Sequence, residues 1–415
     1  MDRLAVLLSA GPRGDGRLIA VGAFGVVLCV LLVGGTQAWA AYGVQPAPSL
    51  FFDTRNILAA LECRRQGFDP LVDNPCDPWD RPLVYLRPWL ALRWLGLHQG
   101  HVVLVAAVVI GLFVLAVWLV IGRRSLGEGV VLAVCLCSPS VMFAVERANM
   151  DLVLFVLLAA AVIWWRRGLA GAWVGGPVLL VVAAVTKIYP VFALPAYVVT
   201  RSRRAVVGAA VAIMVAAVYL LVALEDVVTV ARTAPQGQHW SYGARILLAQ
   251  AYQALVSEAG TGPLAAQAGA VLAVLVVGAG VWWWARRNLR PSPVDDRRAT
   301  ADRLGFLFGS AIYVGTFAVG NNFDYRLVFL LLTLPQLWTW TRSTEEARRV
   351  RDMAMLALAM VVVAMWVGAW SQPLRLFDEL VSWALALQLA ALAIAALPSL
   401  KELRRFVAGE VPTRA

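Results

Sequence analysis

The feature that most constrains the fold is a series of apolar runs, most of them close to the length of a membrane-spanning helix. A helix needs about 20 predominantly apolar residues to cross a bilayer, so the runs predict about twelve spans. They are expected at roughly 18–40, 101–121, 126–144, 149–165, 169–186, 188–200, 205–224, 264–285, 303–320, 326–341, 353–370 and 379–398. The sequence therefore predicts an all-α polytopic membrane protein, with residues 1–415 forming a single transmembrane domain.

The positive charge of the chain lies in short arginine clusters between these runs. The net charge is +11, and Lys187 and Lys401 are the only lysines. Basic clusters favour the cytoplasmic side of a membrane protein, and every cluster here falls on the same side of the predicted spans as the N-terminus. We therefore expect a multi-pass protein of the inner (plasma) membrane with both termini in the cytoplasm. The membrane accounts for the basic charge, so no nucleic-acid partner is expected.

Two longer polar segments are expected on the opposite, extracytoplasmic face, at residues 41–100 and 225–262. The first mixes tryptophan, leucine and arginine in a way that is typical of short helices lying in the headgroup plane. It also contains Cys63 and Cys76. These two cysteines are expected to form a disulfide if the loop faces an oxidising compartment.

An acidic residue follows the first predicted span on this outer face. Asp53 lies next to two phenylalanines and close to Arg55. A carboxylate in this position can act as a general base on a hydroxyl group. It can equally serve as the N-terminal cap of a helix.

The tightest polar cluster lies between two apolar runs, at Glu146, Arg147, Asn149 and Asp151. Ionisable groups at membrane depth are costly and mark functional sites. Arg147 can hold a phosphate through charge-assisted hydrogen bonds. Asp151 needs a cationic partner, which either Arg147 or Lys187 can supply. The alternative is an internal ion-pair network that only fixes helix packing.

Further charged residues are expected on the same face. Lys187, two residues before Tyr189, can pair with Asp151 or with the phosphate of a substrate. Arg326 begins a predicted helix, where the dipole favours anions, so it can bind phosphate or neutralise Asp324. His239 lies in the second outer loop and titrates near neutral pH, although a lone loop histidine is more often simply solvated.

The sequence also argues against several kinds of chemistry. It contains no phosphate-binding glycine loop, no dinucleotide-binding glycine signature and no zinc-binding spacing of cysteine and histidine. We therefore expect no cofactor and no histidine-rich metal site.

The polar residues of the outer face resemble those of the GT-C superfamily of integral-membrane glycosyltransferases. The resemblance lies in Asp53, in the Arg147–Asp151 segment and in Lys187-Ile188-Tyr189-Pro190. The last two are similar to bacterial α-mannosyltransferases that use polyprenol-phosphate-mannose. The resemblance implies a GT-C-type helical bundle, a polyprenyl-phosphate-linked sugar donor and a lipid or glycan acceptor. Asp53 is followed by threonine and arginine rather than a second acid, which leaves a divalent-metal requirement open.

The resemblance also implies roles for individual residues. Asp53 would deprotonate the acceptor hydroxyl, and Arg147, Lys187 and Arg326 would bind the donor phosphate, with inversion at the anomeric carbon. Two other functions use similar residues: a transporter or flippase for a lipid-linked sugar, and a lipid-linked oligosaccharide polymerase or ligase. A transporter is expected to bind its substrate near the bilayer midplane, whereas the charged residues here gather on one face.

Overall fold

The computed structural model describes residues 14–234, 240–244, 246, 263–292, 296–344, 346–368, 371–399 and 402–404. Nearly all of the regular structure in these ranges is helical, which agrees with the predicted fold class. The exception is a two-stranded antiparallel ribbon, β1 (Ser241–Tyr242) with β2 (Asn322–Phe323), in which Ser241 pairs with Phe323 and Tyr242 with Asn322.

The first half of the chain supplies most of the elements that carry the site. Its α-helices are α1 (Gly16–Ala41), α2 (Phe52–Arg65), α3 (Val102–Ile121), α4 (Leu126–Leu136), α5 (Pro139–Glu146), α6 (Met150–Arg167), α7 (Ala172–Thr186) and α8 (Arg203–Val222). Its 3₁₀ helices are Arg87–Leu95, Gln99–His101 and Tyr189–Thr200.

The second half completes the bundle. Its α-helices are α9 (Leu224–Thr233), α10 (Pro263–Asn288), α11 (Arg297–Val319), α12 (Leu334–Arg342), α13 (Arg348–Val367) and α14 (Ser371–Ala396). A 3₁₀ helix, Asp324–Thr333, runs directly into α12.

The predicted spans all fall on helical segments, but not all of these segments are long and apolar enough to cross a bilayer by themselves. Within the described ranges, five helices meet that requirement: α1, Gln99–Ile121, α8, α13 and the Leu376–Ala396 part of α14. A sixth span results if α4 and α5, which are bent by 53° at a short break, are counted together. The protein is an all-α membrane protein, and the count of about twelve spans stays a prediction.

The core of the bundle lies around α6 and α11. α6 packs against α3, α7 and α11, and α11 also packs against the two long 3₁₀ helices. The centre is filled by fully buried aromatic rings, for example Phe155 of α6, whose ring centroid lies 5.1 Å from that of Phe113 and 6.5 Å from that of Phe329. Burial of such rings is the main favourable contribution to packing in the chain.

Local sequence explains features of the two 3₁₀ helices beside α11: the helix type of one and the close approach of the other. Tyr189–Thr200 contains Pro190 and Pro195, which lack the backbone N–H that a regular α-helix needs. Asp324–Thr333 lies close against Gly309 of α11, where an added Cβ would come within 2.6 Å of the Phe329 carbonyl oxygen. Glycine at 309 therefore permits the close approach that fixes the segment carrying Arg326.

Candidate active site

Asp53 is positioned by main-chain hydrogen bonds between the first outer loop and the turn that precedes α6. The Asp53 N–H donates to the carbonyl oxygen of Arg147 over 3.2 Å, and the Thr54 hydroxyl donates to that of Ala148 over 2.7 Å. Phe51 precedes α2 with a left-handed backbone (φ 62°), and its N–H donates to the Glu146 carbonyl oxygen over 2.7 Å. Asp53 thus lies in the first turn of α2, and Phe51 occupies the cap position.

The carboxylate of Asp53 contacts two side chains of the predicted polar cluster. The amide nitrogen Nδ2 of Asn149 lies 2.5 Å from Asp53 Oδ2, and Arg147 Nη1 lies 3.7 Å from Oδ1. Asn149 is fully buried, and its other amide atom, Oδ1, caps α6 by accepting from the Asp151 N–H over 2.8 Å. One asparagine side chain therefore connects the candidate base to the start of α6.

Glu146 and the guanidinium of Arg147 make the remaining contacts of this cluster. Glu146 Oε1 accepts from the Ala47 N–H over 3.0 Å, and its Oε2 lies 3.9 Å from Arg147 Nε. The Arg147 guanidinium lies 4.7 Å from the ring centroid of Phe143. Glu146 therefore fastens the start of the outer loop to the end of α5, while Arg147 lies between an aromatic ring and two carboxylates.

Asp151 forms the centre of a second group of charges. Its side chain is fully buried, Oδ1 accepts from Lys187 Nζ, and Oδ2 lies 3.6 Å from Arg326 Nε. Lys187 lies at the C-terminal end of α7 and Arg326 in the 324–333 helix. One carboxylate therefore neutralises part of the charge of two cations that come from distant parts of the chain.

Three tyrosine rings surround Lys187. Lys187 Nζ lies 5.4 Å, 5.6 Å and 5.5 Å from the ring centroids of Tyr85, Tyr189 and Tyr325. The Arg326 guanidinium in turn lies 4.7 Å from the Tyr189 ring. Aromatic faces attract cations within about 6 Å, so the rings hold both cations in place while shielding them from lipid.

Arg326 is oriented by the β ribbon that connects the second outer loop to the 324–333 helix. Its Nη1 donates to Asn322 Oδ1, and Asn322 lies in β2. Among the described residues, Arg326 Nε is buried and has no hydrogen-bond acceptor. This nitrogen lies 3.6 Å from Asp151 Oδ2, so the guanidinium is held between Asn322 and Asp151.

The family model for glycosyltransferase family 87 matches residues 82–313, which is more than half of the 415 residues. This chain belongs to glycosyltransferase family 87. The family assignment confirms the predicted resemblance to GT-C-type membrane glycosyltransferases at the level of the superfamily. No match was found among curated proteins or among solved structures. Arg147, Asn149, Asp151 and Lys187 lie inside the matched range, whereas Asp53 and Arg326 lie outside it.

Other predicted residues of this family 87 protein lie apart from the two charge groups or outside the described residues. Arg326 neutralises Asp151, not Asp324, whose side chain is buried near Asp378 and Glu379. Arg55 follows Asp53 on α2, and its buried Nε has no hydrogen-bond acceptor in the part of the chain that the structure describes. His239 lies outside the described residues.

Tyr85, Tyr325 and Asn322 belong to the site and were not predicted as site residues. Tyr325 and Asn322 flank positions that were singled out in the sequence, so adjacency to Arg326 was the available signal. Tyr85 lies in an extended stretch before the 87–95 helix, and no sequence pattern distinguishes it from the neighbouring interfacial aromatics.

The remaining residues of the 41–100 segment pack beside α2. Cys63 and Cys76 form a disulfide, with their Cα atoms 5.6 Å apart. Arg81 forms an ion pair with the buried Asp77 over 2.8 Å, donates to the Phe52 carbonyl oxygen over 3.2 Å, and lies over the Phe52 ring at 3.4 Å. These contacts connect the disulfide-linked loop to the residue directly before Asp53.

Two carboxylates of this segment have shifted pKa values. Burial opposes ionisation of Asp77, but hydrogen bonds from Arg81, the Trp79 N–H and Asn56 outweigh it and lower the pKa of Asp77. The hydrogen bonds from Arg87 lower the pKa of Asp69. Arg87 also contacts Asp226 of α9 over 2.8 Å, so it bridges the two outer loops. In the described ranges, no group of three or more His, Cys, Asp and Glu residues has an arrangement that could hold a metal ion.

Proposed function

We propose that this glycosyltransferase moves a hexose, and specifically mannose, from a polyprenyl-phosphate donor to a hydroxyl group of a lipid or glycan acceptor. The observation that carries the proposal is one carboxylate, Asp53, held beside a cluster with three cations, Arg147, Lys187 and Arg326. Phosphate recognition requires the cations, and activation of a hydroxyl requires the base. Family 87 membership supports transfer chemistry over a transporter.

In the proposed reaction, Asp53 accepts the proton of the acceptor hydroxyl. The acceptor oxygen forms a bond to the anomeric carbon from the face opposite the phosphate, and the bond between that carbon and the phosphate oxygen breaks. The electron pair leaves with polyprenyl phosphate, so the configuration at the anomeric carbon inverts.

The chemistry of the leaving group explains why the proposed site has one base but three cations. Polyprenyl phosphate gains negative charge as it leaves and needs positive charge rather than a proton donor. A glycoside hydrolase instead uses two carboxylates that flank the scissile bond. Asp151 does not provide the second carboxylate, because it is fully buried and already paired with Lys187 and Arg326.

The proposed orientation places this cluster on the extracytoplasmic face. Asp151 lies at one end of α6, and Arg166 and Arg167 lie at the other end. Arginine pairs favour the cytoplasmic side, which supports the outer location of Asp151. The disulfide in the adjoining loop supports an oxidising compartment on that side.

The donor class is tested by offering the purified protein, in detergent with extracted membrane lipid as acceptor, three radiolabelled substrates: mannosyl polyprenyl phosphate, glucosyl polyprenyl phosphate and a nucleotide-linked mannose. We expect label transfer from the first only, with release of polyprenyl phosphate. Transfer from the nucleotide-linked sugar would overturn the proposed donor, and preferential use of the glucosyl lipid would overturn the assignment of mannose alone.

A further inference from the structure

A cavity lies at the end of the bundle remote from Asp53. It has a volume of about 940 Å³ and lies between the C-terminal end of α6, the start of α7, the start of α8 and the start of α11. Its wall includes Trp165, Trp173, Arg203, Arg204 and Arg297. None of these residues takes part in the cluster around Asp53 and Asp151.

The distance from the candidate active site follows from α6. This helix has 18 residues, with Asp151 in its first turn and Arg166 and Arg167 in its last turn. At 1.5 Å per residue, its length is about 27 Å, close to the hydrocarbon thickness of a bilayer of about 30 Å. The cavity therefore lies at the opposite end of α6 from Asp151, which is the cytoplasmic end in the orientation proposed above.

The wall of the cavity combines positive charge with aromatic groups. Arg203 and Arg204 are exposed in the first turn of α8, and the guanidinium of Arg204 lies 5.9 Å from the Trp173 ring centroid. The indole N–H of Trp165 is buried and has no acceptor among the residues described. The wall thus offers guanidinium groups beside two indole rings.

Two further features extend the cavity toward lipid. Leu169 and Val207 are 51% and 54% exposed at its edge, so an apolar chain can continue from it along the helices. Among the described residues that line the cavity, Asp296 is the one acid, and its side chain caps α11 by accepting from the Ala299 N–H over 2.6 Å. The three arginines outnumber this acid, so the wall carries net positive charge.

We propose that this cavity binds the headgroup of an anionic phospholipid, with the phosphate against Arg203, Arg204 and Arg297. Basic pockets between helices at the cytoplasmic face suit such headgroups, and tryptophan is favoured at the level of the headgroups. The acyl chains extend past Leu169 and Val207 into the bilayer. The volume falls within the range of about 300–1,000 Å³ that is usual for small-molecule sites.

The experiment measures lipid binding to the detergent-solubilised full-length protein by native mass spectrometry. The probes are dioleoylphosphatidylglycerol, dioleoylphosphatidylcholine and inorganic phosphate. We expect phosphatidylglycerol to bind about tenfold more tightly than phosphatidylcholine, and millimolar inorganic phosphate not to displace it. Equal binding of the two lipids would overturn the proposal, and full displacement by phosphate would assign the cavity to a free anion.

A matched pair of variants separates the cavity from general surface charge. Replacing both Arg203 and Arg204 by Gln is expected to weaken phosphatidylglycerol binding by about 30-fold, because each arginine near the membrane surface contributes about 1 kcal/mol. The control replaces the exposed Arg287 and Arg290, which lie outside the cavity wall, by Gln. An equal loss of phosphatidylglycerol binding in both double variants would show that the cavity is not the binding site.

A charge-preserving variant guards against misfolding. Arg203→Lys together with Arg204→Lys keeps the two positive charges and is expected to retain most of the phosphatidylglycerol binding. If the Lys variant elutes as a single species in gel filtration but binds as weakly as the Gln variant, charge is not the determinant, and the proposal fails.

Discussion

The ammonium group of Lys187 forms an ion pair with the carboxylate of Asp151, which is fully buried and lies 36 residues earlier in the chain. The pair joins the start of α6 to the end of α7. Because Asp151 also lies 3.6 Å from Arg326, three segments of the bundle meet at one carboxylate. The position of both cations therefore depends on Asp151.

This arrangement predicts strong energetic coupling between Lys187 and Asp151. Asp151→Asn and Lys187→Met should each lower the free energy of unfolding, because the first leaves Lys187 without its carboxylate and the second leaves the buried Asp151 with Arg326 alone. The double variant should be destabilised by less than the sum, with a coupling energy of about 1–3 kcal/mol. Unfolding in mixed detergent micelles measures all four proteins.

The exposed pair Arg348 and Asp352 provides the control cycle. These side chains are 86% and 52% exposed and lie 3.5 Å apart. Water and salt screen such pairs, so Arg348→Gln and Asp352→Asn should be additive. Additive effects at Lys187 and Asp151 as well would show that the buried pair contributes no specific stabilisation.

Asp53→Asn tests the proposed base. The amide keeps the size of the side chain and can still contact Asn149 and Arg147, but it cannot accept the hydroxyl proton. We expect turnover to fall by about 10²–10⁴-fold, with donor binding and gel-filtration behaviour unchanged. Radiolabelled sugar transfer measures turnover, and Asp80→Asn in the same loop serves as the control. Wild-type turnover by the Asn variant would reject Asp53 as the base.

Arg326→Gln tests donor-phosphate binding. Loss of a charge-assisted hydrogen bond should weaken donor affinity by about 1.5–3 kcal/mol, while the acceptor KM stays unchanged. Arg64→Gln is the matched control, because Arg64 is exposed in the last turn of α2 and lies away from the cluster. Wild-type donor affinity in both variants would contradict the proposed binding of the donor phosphate by Arg326.

Reduction of the disulfide should loosen the outer loop. Cys63 and Cys76 are 13 residues apart, and closing a loop of this size stabilises a fold by about 3 kcal/mol in the chain-entropy account. The Cys63→Ser and Cys76→Ser double variant should therefore have a lower Tm than the wild type. Reducing agent should lower the Tm of the wild type and leave the Tm of the double variant unchanged. An equal fall in the Tm of both proteins would assign the effect to another thiol.

The lowered pKa of Asp77 predicts a loss of loop stability in acid. In the unfolded chain an aspartate titrates near pH 3.9, and the folded pKa lies below that value. The stabilisation is therefore complete at pH values above the unfolded pKa and is lost as the pH falls through the folded pKa. Limited proteolysis of the outer loop from neutral pH down to about pH 2, which lies below the unfolded pKa, should show this loss in the wild type.

Asp77→Asn should remove this acid step and make the loop more susceptible to proteolysis at neutral pH, because Arg81 loses its charged partner. Asp73→Asn is the control, since Asp73 is exposed in the same loop. If proteolysis of the Asp77→Asn variant depends on pH as it does in the wild type, the loss of stability in acid belongs to another carboxylate.

Sequence patterns predicted the membrane class, the helical segments and several of the groups that meet at the site. Asp53, Arg147 and Asn149 were expected on one face because they lie in segments between apolar runs, but the contact of Asn149 with Asp53 was not predicted. Whether Arg147 or Lys187 would pair with Asp151 was not predictable, because the answer depends on how α6 packs against α7. That packing involves contacts between residues far apart in the chain.

The ion-pair partner of Arg326 could not be predicted from the sequence for a different reason. Asp324 is only two residues away, yet its N–H donates to the Trp240 carbonyl oxygen over 2.8 Å, next to the ribbon formed by β1 and β2. This pairing sets the direction of the chain before the 324–333 helix and points Arg326 toward Asp151. A ribbon with two residues in each strand leaves no periodic signal in the sequence.

The hydrogen bonds that hold Asp53 to the turn before α6 use the carbonyl oxygens of Arg147 and Ala148 and no side chain of either residue. Any amino acid at position 147 presents the same carbonyl group. Exchange of the Arg147 side chain would therefore remove a cation beside the Asp53 carboxylate while leaving in place the main-chain contacts that hold α2 to this turn.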